Sequence, residues 1–98
     1  DLEALGVYGT TKELKLSNYP NPFHPSTVIT FNLPEDSHAS LRVYNLLGRL
    51  VLTLKDEDMT TGIHHVEFAA RPGTPSGMYL AVLTTEYGVR TSVMMFAK

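Results

Sequence analysis

Four histidines, a run of three acids and a serine beside a glycine are the residues of this chain whose types invite chemistry. His64 and His65 are adjacent in "GIHHVEF". Neighbouring residues of a strand project to opposite faces, so these two rings cannot share one metal ion. His24 and His38 fall in or beside expected loops, where only tertiary coincidence gives them a common ligand. Asp56, Glu57 and Asp58 offer carboxylates, but calcium takes roughly six to eight oxygens, and no glycine-punctuated loop surrounds them. They read as a solvated loop that discourages edge pairing. Ser76 precedes Gly77 in "TPSGMY", yet a serine nucleophile needs a base, an orienting acid and an elbow between strand and helix. The sequence offers no such set. Ordinary turn chemistry is the reading, and neither catalysis nor a cofactor is expected.

The elements that must carry these residues are bounded by composition. Ninety-eight residues with a formal charge of −2 make one small domain with a single core. The eight basic residues are scattered, so the chain lacks the stripe that a phosphate backbone selects, and no nucleic-acid partner is expected. No apolar run approaches the ~20 residues of a membrane helix. Without cysteine, neither a disulfide nor thiolate chemistry is possible. Opening on Asp1, with no initiating methionine or signal peptide, the sequence reads as a piece of a longer chain.

Residues 1–12 show no sustained period and read as a linker or the tail of a preceding domain. Residues 13–98 read as the folded unit. "ELKL" (Glu13 to Leu16) is a candidate first strand. From Thr27 the apolar residues alternate: Ile29, Phe31 and Leu33 on one face, then Leu41 and Val43 in "ASLRVYN". "NLLGR" reads as a hairpin turn in which Gly48 supplies the positive φ. "RLVLTL" returns, "KDEDMTTG" is a polar loop, and "IHHVEFAA" alternates again. After the breaker-rich "RPGTPSG", "MYLAVLTT" and "VRTSVMMFA" are joined at "EYGV", with Gly88 at positive φ. About seven short strands predict an all-β, antiparallel, immunoglobulin-like sandwich. A helix over "VYNLLGRLVLTL" is the local rival, disfavoured by Gly48 and the β-branched residues. The expected core contains Ile29, Phe31, Leu41, Val43, Val66, Phe68, Tyr79 and Leu83. Tyr79 is read as a core or corner residue with its hydroxyl bonded.

"YPNPFHPST" stiffens the chain just before the first alternating run. Each proline fixes φ near −65° and biases Tyr19, Asn21 and His24 toward extended geometry. The expectation is a stiff extended bracket, anchored by Tyr19 and Phe23, that guards a sheet edge because proline cannot donate to a ladder.

The stretch from Asn18 to Val51 resembles the opening of the type A C-terminal sorting domain of the type IX (Por) secretion system. The carrying residues are Tyr19, Pro20, Asn21, Pro22, Phe23 and Pro25, then "VYN" and Gly48. Gly77 and Tyr79 in "PSGMYLAVL" and a hydrophobic last strand follow, and the likeness runs to Lys98. The resemblance implies a non-catalytic address that directs a covalently linked N-terminal cargo across the outer membrane of Bacteroidetes-type bacteria. It implies transit through the periplasm, delivery outside the cell or to its surface, and partners in the translocon and a sortase-like protease. It places the sorting signal in the last strand: Thr91, Ser92, Val93, Met94, Met95, Phe96, Ala97 and Lys98. Val93 departs from the family pattern, standing where a basic residue is usual. Cleavage is expected in Leu5–Thr11.

Two other readings share the sandwich. A sugar-binding accessory module needs exposed planar aromatics; the chain has no tryptophan, and Tyr44 is its best candidate ring. A spacer similar to the immunoglobulin-like domain of flagellar hook-capping proteins is the third. Neither calls for a small-molecule substrate. The outer face of a terminal strand with consecutive apolar residues, Val93 to Phe96, needs a cover, or else accepts a partner strand.

Overall fold

A computed structural model describes residues 13–98. The expected linker over 1–12, Leu5–Thr11 within it, lies outside the described residues. Period-two patterning yields seven strands: β1 (Lys15–Tyr19), β2 (Ser26–Leu33), β3 (Ser37–Asn45), β4 (Leu50–Met59), β5 (Gly62–Ala69), β6 (Gly77–Thr85) and β7 (Gly88–Phe96). They form two antiparallel sheets, ordered β1-β2-β5 and β4-β3-β6-β7. The described residues contain no helix. The all-β sandwich is borne out, and the rival helix is not formed.

Alternation decides which side of each sheet is buried. Ile29, Phe31 and Leu33 of β2 turn inward, with Phe68 of β5, to meet Ala39, Leu41 and Val43 of β3 and Tyr79, Ala81 and Leu83 of β6. Met94 and Phe96 extend this core into β7. Every expected core residue is buried except Val66, which is half-buried against the same cluster. Burying one large apolar side chain contributes roughly 1.5–3 kcal/mol, so the shared interior is what holds the two sheets together.

The β3–β4 hairpin closes as its residues dictate. Asn45 Oδ1 accepts from the Leu47 and Arg49 amides at 2.9 and 3.0 Å. Gly48 takes φ +81°, a conformation costly to residues with a Cβ. Gly88 likewise has positive φ.

Three boundaries differ from expectation. The first strand starts at Lys15 and runs to Tyr19, so Asn18 and Tyr19 are paired residues rather than approach. β3 begins at Ser37, two residues before the expected "ASLRVYN", so His38, beside the loop as expected, is its second residue. The acids Asp56 to Asp58 are strand, not loop, because β4 continues to Met59 opposite Ser37. An edge strand needs a partner on one side only, so charges on it leave pairing intact while discouraging a further strand.

Candidate functional site: the last strand and the proline bracket

β7 lies at one edge of the four-stranded sheet, paired only with β6. Met94 and Phe96 are rooted in the core. Their neighbours Val93 and Met95 point the other way and stay 45% and 39% exposed. Register extends this outer face across the sheet: Val93 stands beside Leu80, which stands beside Tyr44, and Met95 beside Met78. Thr91 is exposed on the same face, while Ser92 turns in and donates to Asn18 Oδ1 of β1 at 3.0 Å. Lys98 is anchored at its amide, which donates to Ser76 Oγ at 3.2 Å. Ala97 is exposed.

The proline bracket runs along the free edge of this strand. Asn21 Nδ2 donates to the Val93 carbonyl at 2.9 Å, and the Met95 amide donates to Asn21 Oδ1 at 2.9 Å. Phe23 continues the line as a parallel bridge to Phe96. Its amide donates to the Met95 carbonyl at 2.8 Å, and its carbonyl accepts from the Ala97 amide at 3.1 Å. The Phe23 ring is buried, edge-on to Phe68 at 5.8 Å and tilted on Phe96 at 5.3 Å. His24 also stacks on Phe96, with ring centroids 6.0 Å apart.

The guarding role expected of this segment therefore holds, and it is exercised on the last strand. Its shape and one anchor do not hold. The segment is a series of bends, with cis peptide bonds before Pro20, Pro22 and Pro25, rather than an extended run. Tyr19 is 81% exposed, so Phe23 alone roots it in the core. The second tie is polar: buried Thr27 donates to the Pro20 carbonyl at 2.9 Å and accepts from Asn18 Nδ2 at 3.2 Å. The Pro25 carbonyl accepts from the Ala70 amide at 2.9 Å.

Sequence reasoning did not single out Asn18, Thr27 or the Asn21 side chain as a clamp. One signal was available for Asn21. It lies between two prolines, neither of which has an N–H, so its side-chain amide is the local donor that can reach an edge.

The other expected landmarks brace this arrangement from a distance. Gly77, at φ +145°, opens β6 opposite Phe96, and Tyr79 donates from its buried hydroxyl to the Pro75 carbonyl at 2.7 Å. Gly48 belongs to the remote β3–β4 hairpin and does not join them.

The residues that invited chemistry are otherwise engaged. His65 Nδ1 is 2.9 Å from Thr30 Oγ1, while His64 donates from Nε2 to the Thr60 carbonyl at 2.7 Å and stacks on Phe31. His38 meets Asp56 and Asp58, whose hydrogen bonds raise its pKa above the ordinary value. Among the described residues no group of three or more His, Asp or Glu is set to hold a metal ion.

A family model, described as the secretion system C-terminal sorting domain, matches residues 17–95, from the middle of β1 to the penultimate residue of β7. The chain belongs to that family. No curated protein and no solved structure matches it. As a type IX sorting domain it is a non-catalytic signal that directs a protein out of the cell, and its family is one of addresses rather than of enzymes. Membership implies engagement with the type IX machinery and secretion or surface attachment. The matched span contains the bracket and, of the strand edge it covers, Val93 to Met95.

Proposed function

We propose that the address of this sorting domain is carried by Thr91–Lys98 and read on the outer face of β7. The observation that carries this reading is the split within one strand. Met94 and Phe96 serve the core, while Val93 and Met95 are left in water on an edge strand, beside the apolar Leu80 and Met78. An exposed apolar row of this kind marks an interaction surface. Asn21 and Phe23 hold that strand in shape, while Tyr19, Pro20, Pro22 and Pro25 complete the bracket motif, Gly77 and Tyr79 open the neighbouring β6, and Gly48 closes the remote hairpin.

Residues 13–98 act as the sorting unit, and residues 1–12 tether it to a cargo on the N-terminal side. The cargo reaches the periplasm by its own signal and crosses the outer membrane through the translocon. A sortase-like protease then severs the tether within Leu5–Thr11 and leaves the cargo outside or on the surface.

The test places the full chain behind a periplasm-directed reporter in a host with this secretion system. Val93→Ser/Met95→Ser removes the outer apolar pair without touching the core, and deletion of Thr91–Lys98 is the positive control. Surface delivery of the double variant is expected to fall toward that of the deletion, with its thermal midpoint close to the parent's. Delivery equal to the parent's overturns the reading. Mass spectrometry of the released reporter locates the cut.

A further inference from the structure

In an antiparallel pair, alternate residues aim both N–H and C=O at the partner, and those between aim both away. In β7 the groups facing away from β6 belong to the odd-numbered residues, because Val93, Met95 and Ala97 make the bonds to the bracket. From the Val93 carbonyl to the Ala97 amide, every outward group is taken. The Val89 carbonyl accepts from Arg90 Nη1. Between them the outward groups of Thr91 and the amide of Val93 have no partner among the described residues.

The occupant of the distal half imitates a strand. A side-chain amide carries the same donor and acceptor as a peptide unit, and Asn21 uses both. Phe23 supplies the next pair from its backbone, in parallel register with Phe96, and its ring fills an apolar seat between Phe68 and Phe96. Asn21 itself is exposed, so what holds this half of the imitation is open to competition from water and from other backbones.

We propose that the outer edge of β7 is a strand-acceptor site that Asn21–Phe23 fills in cis. Its partner is an extended polypeptide strand laid parallel to β7, with a large apolar residue in the seat of Phe23. The stretch from Thr91 to Val93, whose outward groups have no partner among the described residues, is where such a strand first pairs, and it advances toward Ala97 as Asn21 releases. Backbone bonds give this kind of recognition its affinity, and the seat gives it selectivity. The consequence for export rests on β7 being the address. While the bracket is closed, the edge from the Val93 carbonyl to Ala97 is shielded from stray strands, and that half of the strand shows only its outer face.

Amide hydrogen exchange on the full chain tests the site in solution, independently of whether Val93 and Met95 carry the address. In Asn21→Ala the Met95 and Ala97 amides are expected to exchange roughly tenfold faster than in the parent. The Met94 and Phe96 amides, which face β6, are expected to keep their protection and so report that the fold is intact. A synthetic peptide of Asn18–Ser26, added in excess, is expected to restore protection at Met95 and Ala97. The same peptide with alanine in place of its phenylalanine is expected not to. Unchanged exchange at Met95 and Ala97 in the variant overturns the proposal, as does failure of the parent peptide to restore protection, or equal restoration by both peptides.

Discussion

His38 bridges two carboxylates of the neighbouring strand, with Nε2 2.7 Å from Asp56 Oδ1 and Nδ1 2.9 Å from Asp58 Oδ1. A carboxylate only accepts, so both ring nitrogens must carry protons and the ring is cationic in this arrangement. Arg42 also reaches Asp56, at 3.4 Å. The hydrogen bond to Asp56, then that to Asp58, raises the His38 pKa above its ordinary 6.5. The folded state thus binds the proton more tightly than the unfolded one. The resulting stabilisation is complete below about pH 6.5 and fades as pH rises through the raised value. The thermal midpoint of His38→Gln is expected below the parent's near pH 6, with the gap closing as pH rises through the raised value. The cluster is exposed, so added salt narrows the gap as well. A gap that stays constant or widens with pH contradicts the bridging geometry.

The Tyr79 hydroxyl, donating to the Pro75 carbonyl at 2.7 Å, ties the start of β6 to the loop before it. Tyr79→Phe keeps the ring in the core and removes that one bond. A cost of about 1 kcal/mol is expected, read as a midpoint lower by about 4–8 °C in a domain of this size. Denaturant unfolding with an unchanged m-value confirms that only stability has moved.

Gly48 separates backbone strain from crowding. A Cβ placed there meets nothing within 4 Å, yet φ is +81°. Gly48→Val is expected to cost about 1–2 kcal/mol by strain alone. Gly48→Asn is expected to cost much less, because asparagine tolerates the left-handed region. Equal urea midpoints for both variants would show that φ does not control the turn.

The sandwich was legible because strand faces are set by a local alternation, visible in Ile29, Phe31 and Leu33 or in Leu41 and Val43 without knowing the partner strand. Gly48 and Gly88 were legible for the same reason: a turn demands positive φ locally. The misread features depend on distant pairing. Asp56 to Asp58 look like loop until β3 is known to extend opposite them. The fate of Tyr19 depends on which side of the bracket meets the core, and polar Thr27 with apolar Phe23 takes that side. The edge guarded by the prolines could be inferred from their chemistry, whereas its identity as β7 arises from contacts across more than 70 residues of chain.

Adjacent methionines in β7 give the sharpest check on the strand's register. Met94 is fully buried and Met95 is 39% exposed, although they share chemistry, strand and sheet. Met94→Ala is expected to cost about 2–5 kcal/mol through lost burial and the cavity left behind. Met95→Ala is expected to shift stability by about 0.5 kcal/mol or less, as an exposed site does. A slip of one residue would exchange the two faces and reverse the order. Such a reversal in chemical denaturation would move Val93 inward, put Phe96 in water and remove the apolar row on which the sorting site is placed. With the expected order, any export loss in Met95→Ala reports on recognition, because the variant's fold is then known to be sound.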